Sequence, residues 1–314
     1  MKPNKIHPEL RDAAAKFPSL PLHNRAVLFL IKAITSLSAK TLKVPGVSIS
    51  TKRVNGVKIR IYSPTGKSSA VGLLWIHGGG LIIGSAKMND RECSDYVNKF
   101  RMTVVSVDYR LAPRHRYPAA IDDCFTAWNW FQENAASLQV KKERIFIAGQ
   151  SAGGGLAAAL VHRVHDRGGT PALAQLLYYP MLDDRTATRR DLDAIKHPIW
   201  NNSLNLVGWS AYLGDAVGGP AVPDYAAPAR RNNLSGLPPA WIGIGSIDLF
   251  HQEDIEYAEC LSAAGVQCQL DVIDMAPHGF DSLFPNTDVS RDFIAKHDNF
   301  VAAILTNKSA NLPS

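Results

Sequence analysis

The stretch Gly149-Gln150-Ser151-Ala152-Gly153 is the most informative part of this 314-residue chain. It follows the apolar run 145–148 and precedes an alanine- and glycine-rich segment that predicts a helix. A serine between two glycines at a strand-to-helix turn is held in a sparsely populated backbone region that presents its hydroxyl. The glycines remove side chains that would clash with the adjoining strand and helix. The stretch therefore predicts a nucleophilic serine on an α/β scaffold.

A second glycine cluster, His77-Gly78-Gly79-Gly80, directly follows the buried-strand pattern of residues 71–76. Consecutive glycines leave backbone N–H groups unshielded, so Gly78, Gly79 and Gly80 are candidate donors to an oxyanion. Ala152, the residue after the serine, is the fourth candidate. A dinucleotide-binding turn needs Gly-x-Gly-x-x-Gly, but the sixth position counted from Gly78 is Ile83. The cluster therefore favours an oxyanion hole over a phosphate-binding turn.

Candidates for the acid and the base lie later in the chain, each after a strand pattern. Asp248 follows the apolar run 240–245, and His278 follows the alternating run 269–273. Open α/β sheets place their sites at the carboxyl ends of strands. The chain order serine, aspartate, histidine is also that of the α/β-hydrolase arrangement. We therefore expect Ser151, Asp248 and His278 to converge as nucleophile, orienting acid and general base.

Together these motifs resemble those of the hormone-sensitive-lipase-like branch of the α/β-hydrolases, the bacterial carboxylesterase group. The resemblance includes the Asp-Tyr-Arg-Leu-Ala-Pro run at 108–113 and covers about residues 55–305. It implies an α/β-hydrolase fold, an acyl-enzyme formed on the serine, and an oxyanion hole from the Gly78–Gly80 backbone and Ala152. It also implies that neither a metal nor an organic cofactor is needed.

Two positions depart from the motifs of that family. Gln150 stands where the family has an acidic residue before the serine, and Arg114 stands where it has a glutamate after Leu-Ala-Pro. Each departure removes a negative charge that we expect near the site. Because neither position carries the chemistry, we expect catalysis to survive, with altered surroundings for the histidine.

The periodicity predicts alternating strands and helices, and hence a mostly parallel sheet with helices on both faces. The predicted strands are 55–62, 71–76, 103–107, 144–148, 174–179, 240–245 and 269–273, and the predicted helices are 8–17, 22–43, 88–101, 118–136 and 151–167. Because the motifs run from 77 to 278 and must converge, we expect one catalytic domain over residues 46–314.

The connection between the predicted strands 174–179 and 240–245 is about sixty residues long, too long for a plain loop. Its middle, about 200–213, predicts an aromatic-rich helix with Ser203 as N-cap. The resemblance implies that an insertion at about 183–225, together with residues 1–45, forms a helical cap over the serine. Apolar residues near the motifs are the candidates for substrate binding: Leu81, Ile82, Ile83, Met181, Trp209 and Phe280.

Histidines and cysteines outside these motifs suggest no metal site. His162 and His165 are three residues apart on the predicted helix after the serine and could share a face as ligands. No third ligand and no His-Glu-x-x-His run accompanies them, so we expect a solvated helix face. The four cysteines lack metal or Cys-x-x-Cys spacing, and without a predicted export signal we expect reduced thiols.

Charge and hydropathy limit the partners. The net charge is +6, and residues 1–60 hold twelve Lys or Arg against Glu9 and Asp12. These basic residues are spaced singly and no nucleic-acid motif is present, so we expect solvated faces and no nucleic-acid binding. No apolar run reaches the about 18 residues of a membrane span, and no secretory signal is evident. We therefore expect a cytoplasmic protein without stable membrane insertion.

These inferences converge on a serine carboxylesterase that hydrolyses short- to medium-chain acyl esters, with a small-molecule ester as its partner. An amidase, a lactonase or a deacetylase would use the same triad, and the sequence does not choose among them. A non-catalytic ligand-binding member of the fold is the alternative from another class. A homodimer is a further expectation, because some members of the resembled family dimerise.

Overall fold

One eight-stranded sheet organises residues 5–12 and 42–307, which are the residues described by the computed structural model. Its strand order is β1-β2-β4-β3-β5-β6-β7-β8. The strands are β1 (Val47–Val54), β2 (Val57–Pro64), β3 (Gly72–Ile76), β4 (Thr103–Asp108), β5 (Ile145–Gln150), β6 (Gln175–Tyr178), β7 (Ala240–Gly245) and β8 (Cys268–Ile273). β2 pairs antiparallel with β1 and β4, and the remaining neighbours are parallel. The mostly parallel sheet is confirmed.

Helices alternate with the strands, as the periodicity predicted. Within the described part of the chain they are α1 (Asp90–Phe100), α2 (Ala119–Glu133), α3 (Ala152–Arg167), α4 (Asn202–Leu213), α5 (His251–Ala263), α6 (Phe280–Leu283) and α7 (Asp288–Asn307). Short 3-10 turns lie at Pro8–Leu10, Ala86–Asn89, Ala136–Leu138, Lys142–Arg144, Thr186–Thr188, Arg190–Ala194, Gly214–Ala216 and Pro228–Arg230. None of these described helices is long and apolar enough to cross a membrane.

The prediction of a single strand at 55–62 was wrong at its start. Two antiparallel strands, β1 and β2, are joined by Asn55-Gly56, with Val54 opposite Val57. Both turn residues have positive φ, 47° and 86°, which is the backbone that two-residue hairpin turns require. The predicted helix 22–43 lies mostly outside the described residues, and its last two positions, Leu42 and Lys43, are not helical.

The short N-terminal segment 5–12 packs against the core of the fold. Leu10 is fully buried in the core, and the N–H of His7 donates to the carbonyl of Met275, 2.8 Å away, in the loop after β8. Of the predicted helix 8–17, the structure describes the 3-10 turn Pro8–Leu10 and two residues beyond it. The N-terminal part of the cap was predicted over residues 1–45. Of these, only residues 5–12 and 42–45 belong to the described part of the chain.

Residues 179–239 connect β6 to β7 and are called the insertion below; they include the range 183–225 of the predicted cap insertion, and α4 is their main helix. The helix begins after Asn201, whose side-chain oxygen accepts a hydrogen bond from the N–H of Leu204 at 3.0 Å. The expectation that Ser203 caps this helix was therefore wrong, because Ser203 lies in the first turn. At the base of the insertion, the buried carboxylate of Glu253 accepts the N–H groups of Leu182 and Asp183.

The central strands explain where a site can form. Every residue of β3 and β7 is buried, as is typical of parallel strands covered by helices on both faces. Since β3, β4, β5, β6, β7 and β8 run in the same direction, the loops that follow them emerge at one edge of the sheet. All the sequence motifs singled out above lie in or beside these loops.

Candidate active site

Ser151 lies at a sharp turn between β5 and α3. Its φ of 55° and ψ of −126° fall in a region that costs a non-glycine residue about 1–3 kcal/mol. The flanking glycines permit the turn: a Cβ on Gly149 would lie 2.2 Å from the carbonyl oxygen of Gly153, and one on Gly153 would lie 2.2 Å from that of Ile76. The turn is also fixed by the Ser151 N–H, which donates to the carbonyl of Tyr178 at 2.8 Å.

The three residues expected to converge do so. The Oγ of Ser151 is 2.9 Å from Nε2 of His278, and Nδ1 of His278 is 2.7 Å from Oδ2 of Asp248. A carboxylate can only accept, so in the neutral imidazole Nδ1 carries the proton and Nε2 accepts from the serine hydroxyl. The three side chains are buried, with residual exposures of 7% for Ser151, 6% for His278 and 4% for Asp248. The arrangement can pass the serine proton to the imidazole and stabilise the resulting charge.

Packing and hydrogen bonds hold the imidazole and the carboxylate in place. The rings of Tyr179 and Phe250 contact the imidazole edge-on, with centroids 4.8 and 5.3 Å away. The other oxygen of Asp248 accepts the N–H of Phe250 at 3.0 Å. Few rotamers are therefore open to either group.

The segment Gly78–Gly80 lies directly beside the serine turn. A Cβ on Gly78 would lie 3.3 Å from the Cβ of Ser151. Gly79, Gly80 and Leu81 have positive φ values of 114°, 58° and 66°. Among the described residues, the N–H groups of Gly79 and Gly80 donate to no backbone carbonyl. Ala152 is the first residue of α3, where N–H groups lack an intrahelical acceptor.

The Asp-Tyr-Arg run supports this segment from β4. The hydroxyl of Tyr109 donates to the carbonyl of His77 at 2.9 Å, and the two rings stack with centroids 4.2 Å apart. Nδ1–H of His77 donates to the Gly78 carbonyl at 2.7 Å, and burial lowers the pKa of His77. Arg110 pairs with the buried carboxylate of Asp123 through hydrogen bonds of 2.8–3.1 Å. Tyr109 thereby supports the glycine segment, whereas Arg110 ties the same loop to α2.

The residues predicted to bind substrate have different surroundings. Leu81 follows the glycines, and its carbonyl accepts the N–H of Ala112 at 3.0 Å. Phe280 packs in the core, with its ring 5.0 Å from that of Phe293 on α7, which is a structural contact. The others lie near the glycine segment or on α4: Ile82, Ile83, Met181 and Trp209, of which only Ile83 is part-exposed.

Sequence reasoning missed Trp200, which precedes α4. Its ring lies 6.5 Å from the imidazole of His278, and a Cβ on Gly80 would lie 2.3 Å from its Cη2 atom. The side chain is buried, and its indole nitrogen has no hydrogen-bond partner among residues 5–12 and 42–307. No local pattern marks this tryptophan as different from the other aromatic residues of the insertion.

The two departures from the family motifs differ in their surroundings. Gln150 lines a cavity of about 310 Å³ together with Asp281 and Tyr178, and none of the three converging side chains lines it. Burial raises the pKa of Asp281 to about 6, and the proximity of His278 opposes that rise. Arg114 is exposed to solvent. Only Gln150 therefore lies next to the serine and the glycine segment.

The expectation of a solvated face was wrong for His162. This residue is buried on α3, with Nε2 2.8 Å from the hydroxyl of Tyr257, and burial lowers its pKa to about 3. His165 is exposed, as expected. Among residues 5–12 and 42–307, no group of three His, Cys, Asp or Glu side chains is placed to hold a metal ion. The four cysteines are unpaired.

Comparisons with known proteins agree with this geometry. The family model for the alpha/beta hydrolase fold matches residues 73–282. Esterase LipI of Mycobacterium tuberculosis is 36% identical over 227 residues, 70% of each chain, and carboxylesterase NlhH of the same organism is 33% identical over 242 residues, 76% of each. The solved structure titled "Bacterial Heroin Esterase" superposes with a TM-score of 0.85 at 32% identity, covering 99% of both chains. The α/β-hydrolase fold is thereby confirmed, and this chain belongs to the hormone-sensitive-lipase-like branch of that superfamily, the bacterial carboxylesterases, as a serine-type carboxylic ester hydrolase.

Proposed function

We propose that the protein hydrolyses short- to medium-chain acyl esters through a Ser151–His278–Asp248 triad and an acyl-enzyme intermediate. The observation that carries the proposal is the pair of hydrogen-bond distances, 2.9 Å from serine to histidine and 2.7 Å from histidine to aspartate. The relatives named esterase and carboxylesterase act on ester bonds, which supports an ester over an amide or a lactone as the substrate.

In the first half of the reaction, Nε2 of His278 takes the proton of Ser151 while Oγ attacks the ester carbonyl carbon. The imidazolium that forms is stabilised by Asp248 through Nδ1–H. Collapse of the tetrahedral intermediate breaks the ester C–O bond, and Nε2–H gives its proton to the leaving alcohol. In the second half, Nε2 deprotonates a water whose oxygen attacks the acyl carbon. The bond from that carbon to Oγ of Ser151 then breaks, Nε2–H returns its proton to Oγ, and the carboxylic acid leaves.

Negative charge on the carbonyl oxygen is bound by backbone N–H groups of Gly78–Gly80 and Ala152. Each donor of this kind contributes about 2.7–4 kcal/mol to transition-state stabilisation. The N–H groups of Gly79 and Gly80 donate to no backbone carbonyl of the described residues, so they are free to bind a ligand, which supports this role. Apolar side chains beside these amides favour an apolar acyl group in the substrate. Because Trp200 lies close to Gly80, the space there favours a short acyl chain.

The test is a panel of p-nitrophenyl esters of rising acyl length, measured with the wild type and with Ser151→Ala. We expect kcat/KM to be highest between acetate and octanoate, and Ser151→Ala to lose at least about 10³-fold. A fluorophosphonate probe should label the wild type on Ser151 and leave the variant unlabelled. Turnover that survives in Ser151→Ala would contradict the proposed mechanism, and a preference for palmitate would contradict the acyl-length assignment.

A further inference from the structure

Gly80 has close neighbours in the insertion rather than in the sheet. A Cβ on Gly80 would lie 2.3 Å from Cη2 and 2.8 Å from Cζ2 of Trp200. A Cβ on Gly208, in α4, would lie 2.7 Å from the carbonyl oxygen of Gly80. The indole therefore covers the α-carbon of Gly80 on one side, while helix α4 approaches its carbonyl. Neither approach leaves room for a larger residue at either glycine.

Trp200 is itself held in one position. Its backbone N–H donates to the carbonyl of Pro198 at 2.8 Å. Ile199, which lies between these two residues, has a φ of 69°. That backbone region is unfavourable for a β-branched residue and persists only where the surroundings determine it. The strained turn directs the tryptophan ring toward Gly80 and the imidazole.

Helix α4 is fixed at both ends, so its approach to Gly80 is fixed too. At its start, the side-chain N–H groups of Asn202 donate to the carbonyl of Arg189 at 2.9 Å and to the carboxylate of Asp193 at 3.0 Å. At its end, the carbonyl of Tyr212 accepts the N–H of Tyr117 at 3.0 Å. Gly208 lies between these two attachments.

The glycine segment needs support of this kind. Glycines are conformationally permissive, and three in succession have no side chains by which the sheet could hold them. An oxyanion donor works when it lies about 2.7–3.1 Å from the oxygen that it stabilises. A displacement of about 1 Å at a reacting centre can cost about 10²-fold in rate. Whatever fixes Gly80 therefore affects the rate directly.

We propose that Trp200 and Gly208 are positioning residues that fix Gly80, and with it the direction of its N–H, in the oxyanion hole. The insertion then contributes to transition-state stabilisation as well as to the wall of the substrate pocket. This inference rests on the proposed function, because it takes the Gly78–Gly80 amides as the oxyanion donors. A tryptophan that served only as pocket wall would make different predictions, because it would affect substrate fit and not donor placement.

The test uses p-nitrophenyl acetate, whose acyl group is the smallest in the series, with Trp200→Phe and Gly208→Ala. Phenylalanine lacks the indole atoms that contact Gly80, and alanine at 208 adds a methyl group against the Gly80 carbonyl. We expect each variant to lower kcat about 10- to 100-fold with KM within about threefold. The rate of Ser151 phosphonylation by a fluorophosphonate should fall in parallel, because that adduct also places an oxygen in the hole.

Matched controls lie away from the site. Gly66→Ala adds a methyl group that meets only the end of the Arg101 side chain, 3.0 Å away. Trp128→Phe removes the same atoms from a buried indole on α2. We expect both controls to keep kcat within about twofold of the wild type.

The possible results separate this inference from the proposed function. If kcat for the acetate ester stays within twofold in Trp200→Phe and Gly208→Ala, while KM or the preferred acyl length changes, the two residues are pocket wall and the inference is wrong. If Gly208→Ala does not fold by circular dichroism, Trp200→Phe alone decides, since it introduces no overlap. Activity that persists in Ser151→Ala would instead overturn the proposed function.

Discussion

Replacing Tyr109 by phenylalanine should weaken both folding and catalysis through one lost hydrogen bond. The tyrosine hydroxyl donates to the His77 carbonyl at 2.9 Å, in surroundings where both residues are buried. That carbonyl and the N–H of Gly78 belong to the same peptide unit, so the hydroxyl orients one end of the glycine segment. The stacking of the two rings, with centroids 4.2 Å apart, is retained in phenylalanine.

The magnitude follows from what the variant leaves behind. A buried carbonyl that loses its donor costs about 1–3 kcal/mol of folding free energy. If about 1.4 kcal/mol of this is expressed as poorer placement of the Gly78 N–H in the transition state, kcat falls about tenfold. We expect the free energy of unfolding in urea to fall by about 1–3 kcal/mol and kcat for p-nitrophenyl acetate to fall about tenfold.

Two other tyrosines provide controls for this prediction. Tyr257→Phe also loses a buried hydrogen bond, the 2.8 Å contact with His162. It should therefore destabilise by a similar amount while kcat stays unchanged. The buried hydroxyl of Tyr212 has no partner in the described part of the chain, so Tyr212→Phe should raise the free energy of unfolding slightly. If Tyr109→Phe is destabilised but keeps its kcat within twofold, the hydroxyl does not orient the glycine segment.

Two further predictions concern buried charge. Asp90 accepts two hydrogen bonds from Arg60, at 2.9 and 3.0 Å, and both side chains are buried. Asp90→Asn should therefore lower the free energy of unfolding in urea by about 3–5 kcal/mol. Asp191→Asn, in an exposed ion pair with Arg189, should leave the midpoint of urea unfolding unchanged. An equal shift in the two variants would contradict the assignment. His162 has a pKa depressed to about 3 in the folded chain against an ordinary 6.5, so the unfolded chain binds the proton first on acidification. The stability that this difference provides is present above pH 6.5 and is lost toward pH 3. Between pH 7 and pH 5 the wild type should lose about 2 kcal/mol more than His162→Gln, and parallel stability curves would refute the shift.

The elements that carry the reactive groups were predictable because each is a local pattern. The apolar runs of β3, β5 and β7 end at motifs that contain Gly, Ser or Asp, and parallel strands bring such ends to one edge. Position 200, by contrast, could not be assigned a role. Its contact with Gly80 depends on how residues 179–239 fold back over the sheet edge, and no periodicity encodes that path.

The β1–β2 hairpin and the burial of His162 were predicted incorrectly although the sequence contains a pattern for each. Asn-Gly between two alternating segments is the strongest short-range hairpin pattern, and Asn55-Gly56 fits it. Several basic residues in β1 and β2, however, interrupt the alternation of apolar and polar residues. One of them, Arg60, is buried against Asp90 rather than solvated. His162 lies on α3, a helix that is apolar on nearly all sides, and a helix of that kind is buried. Its histidine therefore had to be buried and hydrogen-bonded.

The substitution of Gln150 for an acidic residue does not leave the surroundings of the histidine without negative charge. Asp281, three positions after His278, lines the same cavity as Gln150, and its carboxylate interacts electrostatically with the histidine. With its pKa raised to about 6 by burial, Asp281 is mostly ionised at neutral pH and becomes protonated on mild acidification. The position that lost an acidic residue thus shares its cavity with another carboxyl, which a different loop brings to the same edge of the sheet. The electrostatics of such a site has to be assessed from all the loops that meet there, not from the motif around the serine alone.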